Sequence, residues 1–233
     1  MKQYKPLALV IFDGWGVAPP GPGNAITSAK LPNFSKYLKE YPAMTLYASG
    51  TEVGLSFGEI GNSEVGHLNI GAGRVYYQSM PRINQSITDG SFFEITAFKQ
   101  ALDQVKANNS ALHLIAMLGS GNVHASNDHL YAVLDLCARQ KVTKNVFVHV
   151  ILDGRDCAFN AGAGFIKELQ SKFKSFGLGE IASVSGRFYA MDRDNRWERI
   201  ETAYKAMCLG VAAKFSDDPI KAVEESYTQK VYD

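Results

Sequence analysis

The sequence is poor in cysteine and has almost no excess of charge, and each feature excludes classes of protein. Its three cysteines, Cys137, Cys157 and Cys208, are an odd number and form no CxxC pair. We therefore expect neither a disulfide framework nor a zinc knuckle, and a reducing cytoplasm is the expected location. The 24 basic and 23 acidic residues nearly cancel, so no overall field attracts nucleic acid or an anionic membrane. We expect neither as a partner.

Long apolar runs are also missing. No run approaches the roughly 20 residues that a membrane-spanning helix needs. The apolar run at 7–12 is stopped by Asp13 and has no small-residue cleavage site, which favours a buried strand over a signal peptide. A hydrophobic fraction of 46% over 233 residues suffices for a substantial core, in one large or two small domains.

Short apolar segments alternate with segments of helical periodicity. Apolar side chains recur at i, i+3, i+4 and i+7 within 130–137 and 165–173, and a similar stripe runs through 197–208. The apolar segments predict strands at 7–12, 44–48, 111–118, 145–152 and 180–184. Strands that alternate with amphipathic helices predict an α/β fold with a largely parallel sheet. In such sheets ligands bind beyond the carboxyl ends of the strands.

Two residues near the start of the chain indicate chemistry. Ser63 lies in the glycine-rich stretch GEIGNSEVGHLNIGAGR and precedes a predicted helix at 64–70. It is either an N-cap or a nucleophile activated by a metal beside helix N–H groups, and His67 shares its helix face. Asp13 follows the first predicted strand and is either a metal ligand or the first residue of an Asx turn with Gly14.

Charged side chains follow three further predicted strands. Arg155 and Asp156 together form either a ligand-binding pair or a local surface pair. Arg196 and Arg199 are expected on a solvated helix face. Taken together, the three loops predict a site that binds a multiply charged anion and contains one candidate acid or base. The residues of this predicted site are His124, Arg155, Asp156, Arg187 and Arg193.

Five ordered stretches resemble one known family. They are DGWG at 13–16, GNSEVGHLNIGAGR at 61–74, VHASNDHL at 123–130, LDGRD at 152–156 and GRFYAMDRDNRWER at 186–199. Together they resemble the cofactor-independent (2,3-bisphosphoglycerate-independent) phosphoglycerate mutases.

The resemblance implies a two-domain enzyme that interconverts 3-phosphoglycerate and 2-phosphoglycerate with two manganese ions. Residues 1–76 would open a metal-binding domain of alkaline-phosphatase type, and 80–233 would form most of an inserted substrate-binding domain. Ser63 would be the transiently phosphorylated nucleophile and a metal ligand, and Asp13 would bind the same metal. His124, Arg155, Asp156, Arg187 and Arg193 would bind substrate, with Asp156 as the group that transfers protons.

Two loops depart from the family pattern, namely GSGNVHAS at 119–126 and the residues after LDGRD, Cys157, Ala158 and Phe159. Members of the family are also longer, and their further part carries most of the manganese ligands. We therefore expect residues 1–233 to be an N-terminal portion, monomeric, that alone binds manganese weakly and does not turn over. Two alternatives stay open: another metal-dependent phosphatase or phosphomutase of that superfamily, and a non-catalytic phosphate-binding module.

Overall fold

The computed structural model describes residues 5–233, which fall into two compact units. The first unit ends at Gln85 and the second begins at Ser86. The expected assignment of 1–76 to a phosphatase-type domain and of 80–233 to an inserted substrate domain stays a prediction. Among the helices that residues 5–233 form, none combines the length and the apolar character needed to cross a membrane.

The first unit consists of short helices joined by long loops. Its helices are α1 (Ala25–Ser28), α2 (Pro32–Glu40), a 3₁₀ turn (Gly50–Val53), α3 (Ser63–Ala72) and the beginning of α4 (Ser79–Asp89). Helix α2 starts with Pro32, whose fixed φ suits the first helical position. Helix α3 ends at Gly73, which adopts the left-handed conformation with φ of 64°. The buried apolar residues of this unit are Val53, Leu55 and Val65.

The two strands predicted in the first unit are wrong. Residues 7–12 and 44–48 form neither helix nor strand, and their apolar side chains are exposed, with Leu7 at 96% and Leu46 at 80%. A strand needs a hydrogen-bonded neighbour, and all strand pairing among residues 5–233 lies in the second unit. The apolar patterns at 7–12 and 44–48 predict buried strands, whereas both segments are exposed and unpaired in this structure.

The second unit is built on a parallel sheet with helices between its strands, as the sequence predicted. Its elements run α5 (Thr96–Asn108), β1 (Leu112–Leu118), α6 (Asn127–Arg139), β2 (Val146–Leu152), α7 (Gly162–Phe176) and β3 (Glu180–Gly186). The three strands lie in the order β1-β2-β3. Ala116 pairs with Val150, which pairs with Val184 on its other side. The carboxyl ends of all three strands therefore meet at one edge.

Further helices follow β3. They are α8 (Arg187–Ala190), α9 (Trp197–Tyr204), which continues into a π-helical turn (Lys205–Leu209), and α10 (Pro219–Thr228). Helix α10 begins with Pro219 at its first position. The Asp218 carboxylate caps this helix by accepting from the backbone N–H groups of Ile220 and Lys221.

One face of the sheet packs against helices and forms the core. Val148 and Val150 of β2 are fully buried, together with Leu134 of α6 and Ile166 and Leu169 of α7. The helical residues are among those whose periodic spacing predicted amphipathic helices. Full burial of one such side chain stabilises the fold by roughly 1.5–3 kcal/mol relative to exposure, so this core holds the strands that carry the site.

The opposite face of the sheet carries a polar chain across all three strands. His113 Nδ1 lies 3.0 Å from His149 Nε2, and His149 Nδ1 lies 2.8 Å from Ser183 Oγ. Burial of His149 and the neighbouring His113 imidazole lower the pKa of His149. The folded protein therefore favours the neutral form of His149.

Candidate active site

Ser63 is the first residue of α3, and Asn62 is the residue that caps this helix. The Asn62 side-chain oxygen accepts a hydrogen bond of 3.0 Å from the Val65 N–H. The interpretation of Ser63 as an N-cap is therefore wrong, because the capping position is one residue earlier. The Ser63 side chain is exposed and lies beside the N–H groups at the start of α3, where anionic groups are stabilised.

The Ser63 hydroxyl is engaged by two side chains of the first unit. It donates to Asp13 Oδ2 over 2.7 Å. His67 Nδ1 lies 3.2 Å from Ser63 Oγ and 2.8 Å from the Ser63 carbonyl oxygen. Asp13 and Ser63, fifty positions apart in the chain, are thus brought together, and His67 shares the helix face of Ser63 as its spacing predicted.

A close backbone contact fixes the loop before Ser63. A Cβ atom added at Gly61 would lie 1.6 Å from the Ala48 carbonyl oxygen, a distance that no side chain tolerates. Glycine is therefore required at position 61 so that the chain can pass Ala48. This contact places Asn62 and Ser63 where α3 begins.

A second site lies at the carboxyl ends of the three strands of the second unit. It is a cavity of about 420 Å³ that opens beyond Leu118, Leu152 and Gly186. The side chains around it are mostly charged. The lining residues are His124, Asp153, Arg155, Arg187, Phe188, Met191, Asp192, Arg193, Asp194, Arg199 and Asp233.

The five residues predicted for this region lie close together. Four of them, His124, Arg155, Arg187 and Arg193, line the cavity. The fifth, Asp156, accepts a hydrogen bond from Arg187 Nη1 over 2.6 Å, and its Oδ2 lies 3.9 Å from His124 Nε2. Asp156 therefore pairs with Arg187 as well as lying beside Arg155 in sequence.

Arg187 connects two strand ends through its guanidinium. Its Nη1 donates to Asp153 Oδ1 over 2.5 Å and to Asp156 Oδ2 over 2.6 Å. Burial alone raises the pKa of Asp153, but hydrogen bonds from Arg187 and from the Asp156 N–H outweigh it and leave this pKa lowered. Burial likewise opposes the charge of Arg187, yet the two carboxylates raise its pKa. Arg187 and Asp153 therefore form a stable charged pair, and Asp156 is hydrogen-bonded to the same guanidinium.

Glycines bring the loop after β1 against the loop after β2. A Cβ atom at Gly119 would lie 2.7 Å from Asp153 Oδ2, and one at Gly121 would lie 2.6 Å from the Asp156 Cβ. Only glycine leaves room for this approach. The stretch GSGNVHAS therefore places Gly119 directly against the Asp153 carboxylate, and Gly121 against the backbone and Cβ of Asp156.

A family model for the N-terminus of BPG-independent phosphoglycerate mutases matches residues 83–233, which is more than half of the chain. The chain belongs to this family. Among curated mutases, it is 51% identical over 223 residues to the 2,3-bisphosphoglycerate-independent phosphoglycerate mutase of Clostridium perfringens strain 13, covering 96% of this chain. It is 49% identical over its whole length to the enzyme of the same name from Chloroflexus aggregans.

The structural comparison agrees with the sequence comparisons. The fold is similar to a chain described as Leishmania mexicana phosphoglycerate mutase at low cobalt concentration, with a TM-score of 0.69 and 29% identity over 94% of this chain. The present chain spans 43% of the length of the curated mutases named above and 42% of the Leishmania chain.

The cavity residues that were not predicted from the sequence, or were assigned elsewhere, include Asp153, Asp192 and Arg199. Asp153 is the first acid of LDGRD, and its position directly after a strand is the signal that could have identified it. Asp192 was likewise not singled out. Arg199 was predicted on a solvated helix face, and that prediction is wrong: its side chain is 26% exposed, lines the cavity and pairs with Asp192. Helical position alone does not reveal which arginine bends inward.

A metal ion at Ser63 would find a suitable but small set of ligands. Asp13 and Ser63 provide two adjacent oxygens, the donor type that manganese accepts. Within residues 5–233, no group of three or more histidine, cysteine, aspartate or glutamate side chains is placed to hold a metal. The chemical type of the donors fits a divalent cation, and their number falls below the three or more protein ligands usual for a catalytic site.

Proposed function

We propose that this chain provides the nucleophile and most of the substrate pocket of an enzyme that interconverts 3-phosphoglycerate and 2-phosphoglycerate. The observation that carries the proposal is the convergence of five separately predicted residues around one cavity. The names of the relatives support the same reaction. In this proposal the first unit belongs to a phosphatase-type domain and the second is the substrate domain.

The cavity suits a small molecule with several negative charges. Arg155 and Arg193 line it, and neither forms an ion pair with a carboxylate within the part of the chain described, so both guanidinium groups are available to a ligand. Arginine forks match phosphoryl and carboxylate groups. Arg187 is anchored by Asp153 and keeps further N–H donors for the ligand. Phosphoglycerate, with one phosphoryl and one carboxylate group, fits this arrangement.

The proposed chemical step is the transfer of the phosphoryl group to Ser63. Ser63 Oγ forms a bond to phosphorus while the bond between phosphorus and the substrate oxygen breaks. Asp13, which accepts the hydrogen bond from the Ser63 hydroxyl, is the group placed to take its proton. The N–H groups at the start of α3 favour the negative charge of the phosphoserine. The product of this half-reaction is glycerate.

Asp156 is the proposed proton carrier for glycerate. It supplies a proton to the oxygen that loses the phosphoryl group, and glycerate then reorients among the arginines. The second hydroxyl gives its proton to Asp156 as its oxygen takes the phosphoryl group from Ser63, which recovers its own proton from Asp13. Both protons therefore return to their starting groups, and the enzyme is unchanged.

Asp13 and Ser63 are the proposed ligands of one of two manganese ions in the complete site. When bound, such an ion would favour the alkoxide of Ser63 and neutralise part of the phosphoryl charge. Residues 5–233 alone provide too few ligands for tight binding. We therefore expect weak manganese binding and no turnover from the 233-residue chain by itself.

The test is conversion of 3-phosphoglycerate, coupled to enolase, by the complete product of the gene that encodes this chain. We expect manganese-dependent turnover, loss of turnover in Ser63→Ala, and a phosphorylated Ser63 peptide in the unmodified protein. Turnover that persists in Ser63→Ala would refute the nucleophile. Activity on phosphorylated sugars but not on phosphoglycerate would favour another phosphomutase, and binding without any turnover would favour a non-catalytic module.

A further inference from the structure

Arg199 is held in one orientation by two neighbours. Its Nη1 donates to Asp192 Oδ1 over 3.2 Å, and its Cζ lies 3.8 Å from the centre of the Phe188 ring. The ring supports the guanidinium plane, as is common for arginine. All three residues line the cavity. The side chain of Arg199 is therefore arranged as part of the cavity wall.

Asp192 anchors Arg199 from a buried position. Its side chain is 2% exposed. One carboxylate oxygen accepts from Arg199, and the other accepts from the N–H groups of Arg196, over 2.9 Å, and Asp194, over 3.2 Å. Asp192 thus shapes the turn that precedes α9 and fixes the arginine that follows. A buried carboxylate with these contacts is costly to move.

The pairing leaves most of the Arg199 donors unused. A guanidinium carries five N–H groups, and within residues 5–233 the Arg199 side chain forms one hydrogen bond, from Nη1 to Asp192. Arginine–carboxylate pairs are frequently bidentate, with two short hydrogen bonds. The single, long contact leaves the rest of the fork for another anion.

Arg196 provides an internal comparison, because it lies three positions earlier in the same segment. Its side chain is exposed, and it does not line the cavity. The same short sequence therefore contains one arginine directed to solvent and one fixed at the cavity wall. The difference is due to Asp192 and Phe188, which contact the Arg199 side chain.

We propose that Arg199 is a further anion-binding residue of the cavity, and that it binds the phosphoryl or the carboxylate group of the phosphorylated hydroxy acid. The proposal rests on the function proposed above and extends it to a fourth arginine. Asp192 and Phe188 are positioning residues that act through Arg199. No reacting atom needs to contact either of them.

The proposal is tested by ligand titration of the 233-residue chain, followed by amide chemical shifts at constant ionic strength. The probes are 3-phosphoglycerate, inorganic phosphate and glycerate. The main variant combines Asp192→Asn with Arg199→Gln, which removes one charge of each sign, keeps the net charge and preserves an acceptor for the turn. Arg196→Gln is the matched control, and Arg187→Gln reports on the cavity as a whole.

We expect the double variant to bind 3-phosphoglycerate about tenfold more weakly, equivalent to about 1.4 kcal/mol, and Arg196→Gln to bind it unchanged. A loss confined to phosphate assigns Arg199 to the phosphoryl group, and a loss confined to glycerate assigns it to the carboxylate. If the double variant binds all three probes unchanged while Arg187→Gln binds them more weakly, the role of Arg199 is overturned and the cavity remains the binding site. If the double variant and Arg187→Gln both bind the probes unchanged, or if the unmodified chain binds no probe at millimolar concentration, the cavity is not the binding site and the role of Arg199 is overturned with it.

A second variant covers a failure to fold. Arg199→Lys keeps a positive partner for the buried Asp192 carboxylate but loses the planar fork. We expect it to melt close to the unmodified chain and to bind 3-phosphoglycerate with an affinity between those of the unmodified chain and the double variant. If the double variant does not fold, unchanged affinity in a folded Arg199→Lys chain would overturn the proposal.

Discussion

The two units of this chain differ most in what they bury. The second unit encloses seventeen apolar residues in a continuous core, whereas the buried apolar cluster within residues 5–85 consists of Val53, Leu55 and Val65. Both units form helices with recognisable caps, so local signals are of similar quality in both. The difference shows that local sequence signals suffice to form individual helices. A stable domain also needs elements that pack together and bury a shared apolar face, as the sheet of the second unit does.

The two candidate sites differ in the same way. Ser63 and Asp13 meet on the surface of a unit with little core, and their contact is a single hydrogen bond between side chains. The cavity residues stand at the ends of strands that pack on a buried core, in which Val148 and Val150 of β2 are fully buried, and Asp153 is 2% exposed. The substrate pocket is therefore expected to be rigid, and the nucleophile segment less so.

The largest expected difference between the units is in amide hydrogen exchange. The amides of β2, hydrogen-bonded to strands on both sides, should exchange at least about a thousandfold more slowly than those of residues 7–12, because core strands open only with the whole unit. Exchange followed by mass spectrometry of peptides checks this. Equal protection of 7–12 and β2 would show that the first unit is as stable as the second.

The next largest difference between the units is expected in the stability lost when a buried side chain is truncated. Leu134→Ala removes a fully buried side chain of α6 and should lower the free energy of unfolding of the second unit by about 3 kcal/mol. Leu55→Ala, in the cluster of three, should cost less than about half of that, because few neighbours lose contacts. Urea unfolding measures both.

The two tryptophans make this measurement specific. Trp15 lies in the first unit and Trp197 in the second, so a Trp15→Phe background reports on the second unit and a Trp197→Phe background on the first. If Leu134→Ala and Leu55→Ala lower the free energy of unfolding by similar amounts, the two units do not differ in core stability as proposed.

A smaller effect is expected at the helix that presents Ser63. Asn62→Ala removes the side-chain acceptor of the Val65 N–H and should destabilise the start of α3 by about 1 kcal/mol. Faster exchange of the Val65 amide is the readout. Asn62→Asp, which keeps the acceptor, is the control, and it should exchange like the unmodified chain. Equal exchange in Asn62→Ala would show that the cap does not hold this helix.

The smallest expected effect is a pH dependence confined to the second unit. The pKa of His149 is lowered from 6.5, so below pH 6.5 the unfolded chain takes up a proton that the folded chain resists. Stability should therefore fall as the pH decreases from 6.5 towards the pKa of the folded state. The difference between the unmodified chain and His149→Gln, by urea unfolding, isolates this effect. A difference that does not change with pH would contradict it.

Much of the second unit could be predicted because its signals are local. The predicted strands at 111–118 and 145–152 match β1 and β2 within one residue, and β3 extends two residues beyond the predicted end at 184. The apolar spacing around Leu134 and Leu169 identified the faces that are buried. Parallel strands then placed the loops at one edge, so the convergence of the cavity residues followed from topology.

What the sequence could not reveal depends on long-range partners. The apolar residues of 7–12 read as a strand, but a strand exists only where another segment pairs with it. Arg199 reads as a surface residue, and only the buried Asp192 shows that it turns inward. Asp153 and Asp156 stand in the same short motif, and the motif alone does not show that Asp153 is the buried one.

The close approach of Gly119 to Asp153 and of Gly121 to Asp156 also affects how this site can change during evolution. Because the backbone of one loop fills the space beside the side chains of the other, a substitution in either loop alters the room left for its neighbour. Residues 119–126 and 153–159 should therefore be inherited as a matched pair. We expect that transplanting either loop alone from a relative would leave a poor fit.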